Sequence, residues 1–433
     1  MARTLIRGAC VLTLGHKTPN FPQADLLIEN GLVAEIGEDL RARDAEVIEA
    51  TDAIVMPGFV DTHRHACISL FRNLGATATA IETTHFQPED VYAATLVGLL
   101  GAVEAGITTV VDWVALPAAL EFIEAALQAH ADAGLRTVFV HHGADTSPEA
   151  IRNSASLIAA NLAQGSHTTP ALGSSDVTPE HVDQLAVEWA TARELGMRIH
   201  AHAGLSEAAA GSVAALAHRG LLDSDVTLIH CTHLSDEDLD AVAASGAAIA
   251  LAPSSEMASG LGAPPLQKFL DRNIEPGLAV DDERLAPGDM FAQMRITNSV
   301  QHAAYFDRKL AGKAGLPNLL TTRDVIRYAT GVAAKTAGLG DVAGSLEPGK
   351  PADLIVLRTD RPNIYPINDP IGAVVWGVDT SNLDWVFVGG KALMTNGELA
   401  ADVERVRGLA AKAQGRVMAA AGLLAETAAG ESS

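Results

Sequence analysis

Short apolar runs rich in Val, Ile and Thr alternate with longer helical patterns along most of this 433-residue chain. The eight candidate strands are AIVMPGFVDTH, ITTVVDW, RTVFVHH, TTPALGSS, MRIHAH, VTLIHC, AAIALAP and PGLAVDD. The helical patterns between them include EDVYAATLVGLLGAVEAG, ALEFIEAALQAHADAG, PEHVDQLAVEWATARELG and SDEDLDAVAASG, and a further one covers residues 149–163. Apolar strands that alternate with helices are typical of an α/β fold with a parallel sheet.

Eight such repeats predict a closed (β/α)8 TIM-like barrel, and an open doubly wound sheet is the alternative. The first strand is not followed by Gly-x-Gly-x-x-Gly, so the dinucleotide-binding form of the open sheet has no support. In a (β/α)8 barrel the functional side chains lie at the carboxyl ends of the strands. Those ends are therefore where candidate chemistry has to be sought.

The two ends of the chain show a different pattern. The first fifty residues read as short strands separated by turns at HKTPN and ENG, and strand signals return in GSLEPGKPADLIVLR, AVVWGV and LDWVFVGGKALM. We expect both ends to build one small domain beside the barrel. The expected units are a small β-sandwich domain (1–56 plus 345–401), the barrel catalytic domain (57–344) and a helical tail (402–433).

Metal-competent side chains stand at the ends of four predicted strands. In FVDTHRHACISL, His63 and His65 are two residues apart, so a strand would direct both to one face. That arrangement suits two ligands of one metal, and it also suits two buried, hydrogen-bonded histidines. His202, His230 and Asp281 end three further strands. Imidazoles together with a carboxylate suit Zn²⁺ or Fe²⁺ with an open position for water, so the whole set favours the metal interpretation.

Composition restricts the possible partners. The 30 basic and 53 acidic residues give a net charge of −23, which disfavours nucleic acid and anionic membranes. The chain has no run near the ~18 apolar residues of a membrane span, and its first residues do not resemble a signal peptide. Its three cysteines cannot form a disulfide framework. We therefore expect a cytoplasmic homo-oligomer that acts on a small molecule and binds neither nucleic acid nor membrane.

The motifs VMPGFVDTHRH, IHAHAG, LIHCTHLSDEDL, LAVDD and GSLEPGKPADLIVL resemble those of the amidohydrolase superfamily. Their order is most similar to the branch that contains cytosine deaminase, guanine deaminase and the s-triazine chlorohydrolases. The resemblance implies that one divalent ion, Zn²⁺ or alternatively Fe²⁺, is held by His63, His65, His202 and Asp281. It implies that His230 contacts the substrate, and we expect Asp281 to accept the proton of the attacking water.

Other branches of the superfamily bridge two metals with a carboxylated lysine on the fourth strand. This chain has no lysine between Lys17 and Lys268, so a mononuclear site is expected in preference to a binuclear one. The branch also carries a proton-shuttling glutamate three residues after the fifth-strand histidine, where this chain has Leu205. The acids near strand ends that could replace that glutamate are Glu207, Glu256, Asp282 and Glu283.

The substrate side of the site departs from the branch in other places as well. The fourth strand ends in Gly-Ser-Ser where the branch has Pro-His, and the loop after the seventh strand has Ser-Glu in place of Ser-Asn. Only one of the adjacent residues His141 and His142 can face into the barrel, and His200 is expected in its core. The candidate substrate contacts are His141, His142, Ser174 and Glu256.

The predicted function is that of a metal-dependent hydrolase. We expect it to act on a C–N bond, by deamination or amine release, in a small nitrogen-heterocyclic substrate other than cytosine or guanine. The alternative is hydrolysis of an amide, ureide, carbamate or C–halogen bond on the same scaffold. A metal-dependent lyase or a non-catalytic binding protein is a third possibility, and the intact ligand set argues against a protein that only binds.

Overall fold

The computed structural model describes residues 3–74, 83–117 and 119–423. Its strands form two sheets, one of nine strands and one of eight. The strands of the described residues are, in chain order, β1 (Arg3–Val11), β2 (Phe21–Glu29), β3 (Leu32–Gly37), β4 (Glu46–Glu49), β5 (Ala53–Pro57), β6 (Phe59–Arg64), β7 (Ile107–Ala115), β8 (Arg136–His142), β9 (Thr168–Gly173), β10 (Arg198–Ala203), β11 (Val226–His230), β12 (Ala248–Leu251), β13 (Gly277–Leu278), β14 (Leu354–Arg358), β15 (Leu383–Val388), β16 (Lys391–Thr395) and β17 (Glu398–Leu399).

Most of the helices connect successive strands of the eight-stranded sheet. The α-helices of the described residues are α1 (Pro88–Glu104), α2 (Leu120–Ala133), α3 (Pro148–Asn161), α4 (Val182–Glu194), α5 (Ser212–His218), α6 (Asp236–Ser245), α7 (Pro253–Ala258), α8 (Leu266–Leu270), α9 (Met290–Leu310), α10 (Thr322–Tyr328), α11 (Gly331–Thr336), α12 (Pro370–Trp376) and α13 (Val403–Ala420). A 3₁₀ helix at Ala66–Phe71 follows the His-x-His segment directly. None of the described helices has both the length and the apolar character needed to span a membrane.

Strands β6 to β13 lie side by side in chain order, and every neighbouring pair is parallel. The two outer strands meet through a parallel bridge between Arg64 and Asp281. The backbone N–H of Asp281 donates to the carbonyl of His63 (2.9 Å), and the N–H of His65 donates to the carbonyl of Asp281 (3.3 Å). The sheet therefore closes into the predicted (β/α)8 barrel, and it does so at the carboxyl ends of the strands.

The inside of the barrel is a packed apolar core. One cluster of buried residues brings together side chains from opposite strands with alanines of α11, which shows that α11 closes the other end. The alternate residues of the same strands pack outward against the helices, as the period of a strand requires. Members of the inner cluster include Val60, Val111, Val138, Ile229 and Ala250.

The predicted first barrel strand is two strands that belong to different sheets. β5 pairs in parallel with β1 and antiparallel with β14, whereas β6 starts the barrel. Gly58 stands between them, and a Cβ there would lie 2.1 Å from a methyl carbon of Thr108. The nine-stranded sheet thus joins both ends of the chain around its own apolar cluster, which confirms the expected small β-domain. The exact domain boundaries stay a prediction.

The predicted helical tail forms α13, which packs against α1. The guanidinium of Arg416 lies 3.0 Å from the buried carboxylate of Asp90 and 2.9 Å from Glu89, both in the first turn of α1. Val417 and Met418 of α13 are buried in the same contact. Residues 424–433 of the expected tail lie outside the described part of the chain.

Candidate active site

Four side chains converge at the carboxyl end of the barrel. His63 and His65 come from the end of β6, His202 from β10, and Asp281 from the segment after β13. The Nε2 atoms of His63 and His65 are 3.2 Å apart, and each is 3.4 Å from Oδ1 of Asp281. One ring nitrogen each of His63, His65 and His202 also lie within 4.8 Å of one another. The structure thus brings together the four predicted metal ligands, which we call the ligand cluster.

The spacing within the ligand cluster fits a divalent ion. Two atoms that each lie ~2.0–2.1 Å from one tetrahedral ion are about 3.4 Å apart. Burial holds the pKa of His63 well below its ordinary value, so this ring is neutral at pH 7. Burial alone would raise the pKa of Asp281, but hydrogen bonds with His63 and His65 hold it well below its usual range. Neutral imidazoles and an ionised carboxylate are the forms that bind Zn²⁺ or Fe²⁺.

Further polar contacts orient two of the ligands. Ser255 Oγ donates to Oδ2 of Asp281 at 2.5 Å, which leaves Oδ1 facing the histidines. Nδ1 of His202 lies 3.4 Å from Oδ1 of Asp176, so Nε2 of that ring is left for the cluster. A carboxylate behind a ligating imidazole fixes its tautomer and its orientation, as is usual around protein-bound metals.

His230 reaches the site through an unusual backbone conformation. The preceding Ile229 belongs to the barrel interior, so strand alternation alone would direct His230 outward. His230 and Cys231 instead have φ angles of +70° and +62°, in the left-handed region that side chains other than glycine rarely adopt. A ring nitrogen of His230 consequently lies within 4.8 Å of His63 and Asp281 ligand atoms. Such strained conformations concentrate at functional sites.

His230 also has a buried acidic partner. Its Nδ1 is 3.3 Å from Oε1 of Glu256, a fully buried residue in the first turn of α7. Burial would lower the pKa of His230, but the hydrogen bond with Glu256 and the charge of Asp281 raise it above the ordinary value. Burial raises the pKa of Glu256, although its bond with His230 acts in the opposite direction.

The structure adds two residues that the sequence analysis did not single out. The ring of Trp113, at the end of β7, lies 4.4 Å from that of His202 and 5.2 Å from that of His142, centroid to centroid. Its position two residues after Val111, on the inward face of ITTVVDW, was a usable signal. Asp176 lies beyond β9 in an irregular segment, and no periodicity pointed to it.

The predicted substrate contacts divide into two groups. His142 stacks on Trp113, and Glu256 contacts His230, so both lie at the ligand cluster. His141 faces away from the barrel interior, into a small cavity lined by residues such as Ile151 and Ile158, and burial lowers its pKa to about 4.

Ser174 is buried in the wall of the barrel, where its hydroxyl donates to Glu188 (2.9 Å) and accepts from the indole of Trp189 (2.9 Å). The structure does not bring Ser174 or His141 into the ligand cluster. His200 is fully buried in the barrel as expected, and among the described residues its two ring nitrogens have no hydrogen-bond partner.

The four candidate replacements for the absent glutamate differ in their surroundings. Glu207 is exposed in a short 3₁₀ helix. Asp282 pairs with Arg284 at 2.7 Å, and Glu283 is held by the buried Arg64 at 3.0 Å. Of the four, Glu256 is the one that contacts His230, whose ring lies beside the ligand cluster.

Comparisons with known proteins agree with this geometry. The sequence profile of the amidohydrolase family matches residues 54–393. A 5-methylthioadenosine/S-adenosylhomocysteine deaminase of Desulfitobacterium hafniense (strain Y51) is 28% identical over 94% of this chain and 96% of its own length. A 5'-deoxyadenosine deaminase of Methanosarcina mazei is 28% identical over 91% of this chain and 93% of its own.

Solved structures share the fold. An atrazine chlorohydrolase from Arthrobacter aurescens TC1, complexed with zinc, superposes with a TM-score of 0.81 at 23% identity, covering 95% of this chain and 100% of its own. An adenosine deaminase from Xanthomonas campestris with bound zinc has a TM-score of 0.81 at 19% identity, covering 96% and 99%.

Proposed function

This chain belongs to the amidohydrolase family, and from that premise we propose that it hydrolyses a C–N bond of a small nitrogen heterocycle, by deamination or amine release. The observation that carries the proposal is the ligand cluster at the functional end of a (β/α)8 barrel. The facing atoms of His63, His65 and Asp281 lie 3.2–3.4 Å apart there, and ring nitrogens of His63, His65 and His202 lie within 4.8 Å of one another. The two relatives aligned over nine-tenths of the chain are both named as deaminases of adenosine derivatives. Aminated purine nucleosides are therefore the first substrate class to test.

The proposed cofactor is one Zn²⁺ per chain, with Fe²⁺ as the alternative. His63, His65, His202 and Asp281 would hold it through three nitrogens and one oxygen, donor types that suit both ions. When bound, such an ion supplies Lewis-acid activation of a water molecule, whose pKa falls towards ~7. Support comes from the zinc in two structures of the same fold.

The side chains around the cluster have separable roles in the proposal. The Ser255 hydrogen bond engages Oδ2 of Asp281, which leaves Oδ1 to take the proton of the attacking water. His230 faces the group under attack and stabilises the charge that develops there. Trp113 and His142 form a stacked aromatic wall beside His202, which favours a planar substrate ring.

A C–halogen or other heterocyclic hydrolase is the second candidate, and Leu205 is the observation that favours it. This partly buried apolar side chain cannot donate a proton to a ring nitrogen. A substrate with a good leaving group needs less help of that kind. A substrate whose leaving group is an amine needs a proton donor elsewhere in the site.

A panel of substrates on zinc-loaded protein tests the proposal. Ammonia release is measured with 5'-methylthioadenosine, 5'-deoxyadenosine and aminated triazines, and halide release with chlorinated triazines. We expect turnover of at least one aminated heterocycle that disappears in His202→Ala. Turnover confined to simple amides or carbamates would contradict the heterocycle assignment, and turnover that survives in His202→Ala would contradict the metal-dependent mechanism.

A homo-oligomeric assembly in the cytoplasm completes the proposal. The three free cysteines support the cytoplasmic location, because disulfides form and persist in oxidising compartments. Light scattering coupled to size-exclusion chromatography measures the assembly, and a mass of one chain would contradict it.

A further inference from the structure

The carboxylate of Glu256 is not one of the four proposed ligands, yet it is buried against His230. Resting on the proposed role of His230 at the substrate, we propose that Glu256 is a positioning residue that binds the Nδ1–H of His230 and thereby presents Nε2 of that ring to the substrate.

The position of Glu256 is itself well defined. It lies in the first turn of α7, immediately after β12, and its Oε1 accepts a hydrogen bond from the backbone N–H of Ala252 at 2.9 Å. The same Oε1 is 3.3 Å from Nδ1 of His230. The oxygens of an ionised carboxylate only accept hydrogen bonds, so the proposal requires Nδ1 to carry the proton in this contact. The carboxylate is thus anchored by its own backbone and aimed at one face of the ring.

Burial of Glu256 without a functional contact would lower the stability of the fold for no gain in function. Glu256 is fully buried, and its Oε2 has no hydrogen-bond partner among the described residues. A buried carboxylate with an unpaired oxygen destabilises the fold. An apolar residue at this position would avoid that penalty. Its contact with His230 is the feature that distinguishes it from an ordinary buried side chain.

His230 needs such a partner because its backbone does not fix the ring. The residue sits in the left-handed region at φ +70°, outside the regular alternation of β11. Its ring is otherwise held by stacking on His202, with 5.5 Å between centroids and 16° between planes. Stacking does not determine whether the ring is flipped about its Cβ–Cγ bond, and hence which ring nitrogen faces the substrate. The Glu256 contact determines both the flip and the nitrogen that faces the substrate.

The neighbouring carboxylates are engaged elsewhere. Asp281 accepts from Ser255 and faces His63 and His65, and Asp176 lies behind His202. Glu256 and Asp176 therefore form two parallel carboxylate–imidazole pairs, one behind a proposed metal ligand and one behind a proposed substrate contact. The second pair is the new assignment.

The test is the tautomer of His230 in zinc-loaded protein, read from ¹⁵N chemical shifts of ¹⁵N-histidine-labelled samples. The His230 signals are assigned by their loss in His230→Asn. We expect Nδ1 to be protonated in the wild type, to stay so in Glu256→Gln, whose carbonyl oxygen still accepts, and to become a tautomer mixture in Glu256→Leu. Glu188→Gln is the matched control, because Glu188 is equally buried but bonds serines instead of an imidazole. It should leave the His230 signals unchanged.

Two further readouts distinguish this role from others. Zinc content should stay at the wild-type level in both Glu256 variants, and kcat on an active substrate should fall about 10²-fold or more in Glu256→Leu with KM changed only a few-fold. Wild-type Nδ1 without a proton, or a folded Glu256→Leu with unchanged His230 shifts, would overturn the inference. Loss of zinc in Glu256→Leu would overturn it in favour of a metal-binding role. The shifts and the zinc content need no substrate, so they stand even if the proposed function fails.

Discussion

The imidazole rings of His202 and His230 lie 5.5 Å apart and within 16° of parallel, although the two residues reach the site from different backbone conformations. His202 extends from the regular strand β10, whereas His230 is turned inward by a left-handed residue. Each ring has a carboxylate at its Nδ1, 3.4 Å away for His202 and 3.3 Å for His230. A carboxylate–imidazole pair thus occurs both at a proposed metal ligand and at a proposed substrate contact. The metal content and the kinetics of variants distinguish the two roles.

Replacing His202 by Ala should remove the metal and the activity together. Loss of one of three nitrogen ligands leaves a site too weak to retain the ion through purification. Elemental analysis of purified protein checks this, with one ion per wild-type chain as the expected value. His218→Ala, an exposed position at the end of α5, is the control and should keep the ion. Two ions per wild-type chain, or none, would show that the mononuclear assignment is wrong.

Replacing His230 by Asn should leave the metal in place and lower kcat by ~10²–10⁴-fold. The reason is that groups which stabilise charge or transfer protons in the transition state typically contribute that much. Zinc content and steady-state kinetics are measured on the same preparation. A preparation that has lost its zinc would identify His230 as a ligand.

Replacing Asp176 by Ala should weaken zinc binding about 10–100-fold, because the carboxylate no longer orients His202. Asp176→Asn keeps an oxygen that accepts from Nδ1–H, so its loss should be smaller. Competition with a chelator measures both affinities. Asp183→Ala, which removes an exposed carboxylate from α4, is the control. Equal affinities for wild type and Asp176→Ala would show that the 3.4 Å contact does not orient the ligand.

The protein should have little activity on cytosine and guanine. Their deamination needs a ring nitrogen protonated as water attacks, and Leu205 offers no donor where the branch has a glutamate. Steady-state turnover of both bases by zinc-saturated protein is the measurement. A specificity constant of ~10⁴ M⁻¹s⁻¹ or more on either base would refute the prediction and show that another acid supplies the proton.

The stability of the fold should decrease below pH 6.5 in part because of His141. Burial lowers the pKa of His141 from 6.5 to about 4, so the unfolded chain takes up a proton in this window that the folded chain does not. Stability therefore rises with pH from 4 to 6.5, and at pH 5 the effect is about 2 kcal/mol. Urea unfolding at pH 5 and pH 7.5 should show a smaller difference for His141→Asn than for wild type. Parallel losses in both proteins would contradict this assignment.

Periodicity was sufficient for the barrel and for the ligands that lie on regular strands. His202 follows from alternation at the end of β10, because an inward-facing side chain at that level has to face the mouth of a closed barrel. His63 and His65 come after a register shift of β6 against β7 between Asp61 and Arg64, so alternation from the inward-facing Val60 does not by itself direct them inward. The same rule fails for the first strand, where Gly58 lets one continuous apolar run change sheets. Both sheets contain apolar strands, so hydropathy alone does not show where the chain passes from one sheet to the other.

The parts of the site that hydrophobic periodicity alone did not place depend on backbone conformation and on irregular segments. Alternation would have pointed His230 outward, and its inward position required φ angles that no residue type there announces. Ser174 was expected at the mouth, but Glu188 and Trp189 of the next helix draw its hydroxyl into the wall. Asp176 lies in the segment just beyond, where neither period applies.

The closure of the barrel gives the ligand cluster a mechanical role. Two backbone hydrogen bonds that join the first and last strands run between His63, His65 and Asp281, which are themselves proposed ligands. An ion bound by those three side chains would link the first and last strands of the barrel. The backbone hydrogen bonds between these strands would in turn set the distances between the ligands. Metal binding and the pairing of these two strands would therefore be thermodynamically coupled. In the metal-free protein, local opening should occur first between these two strands, while the strands on the opposite side of the barrel stay paired.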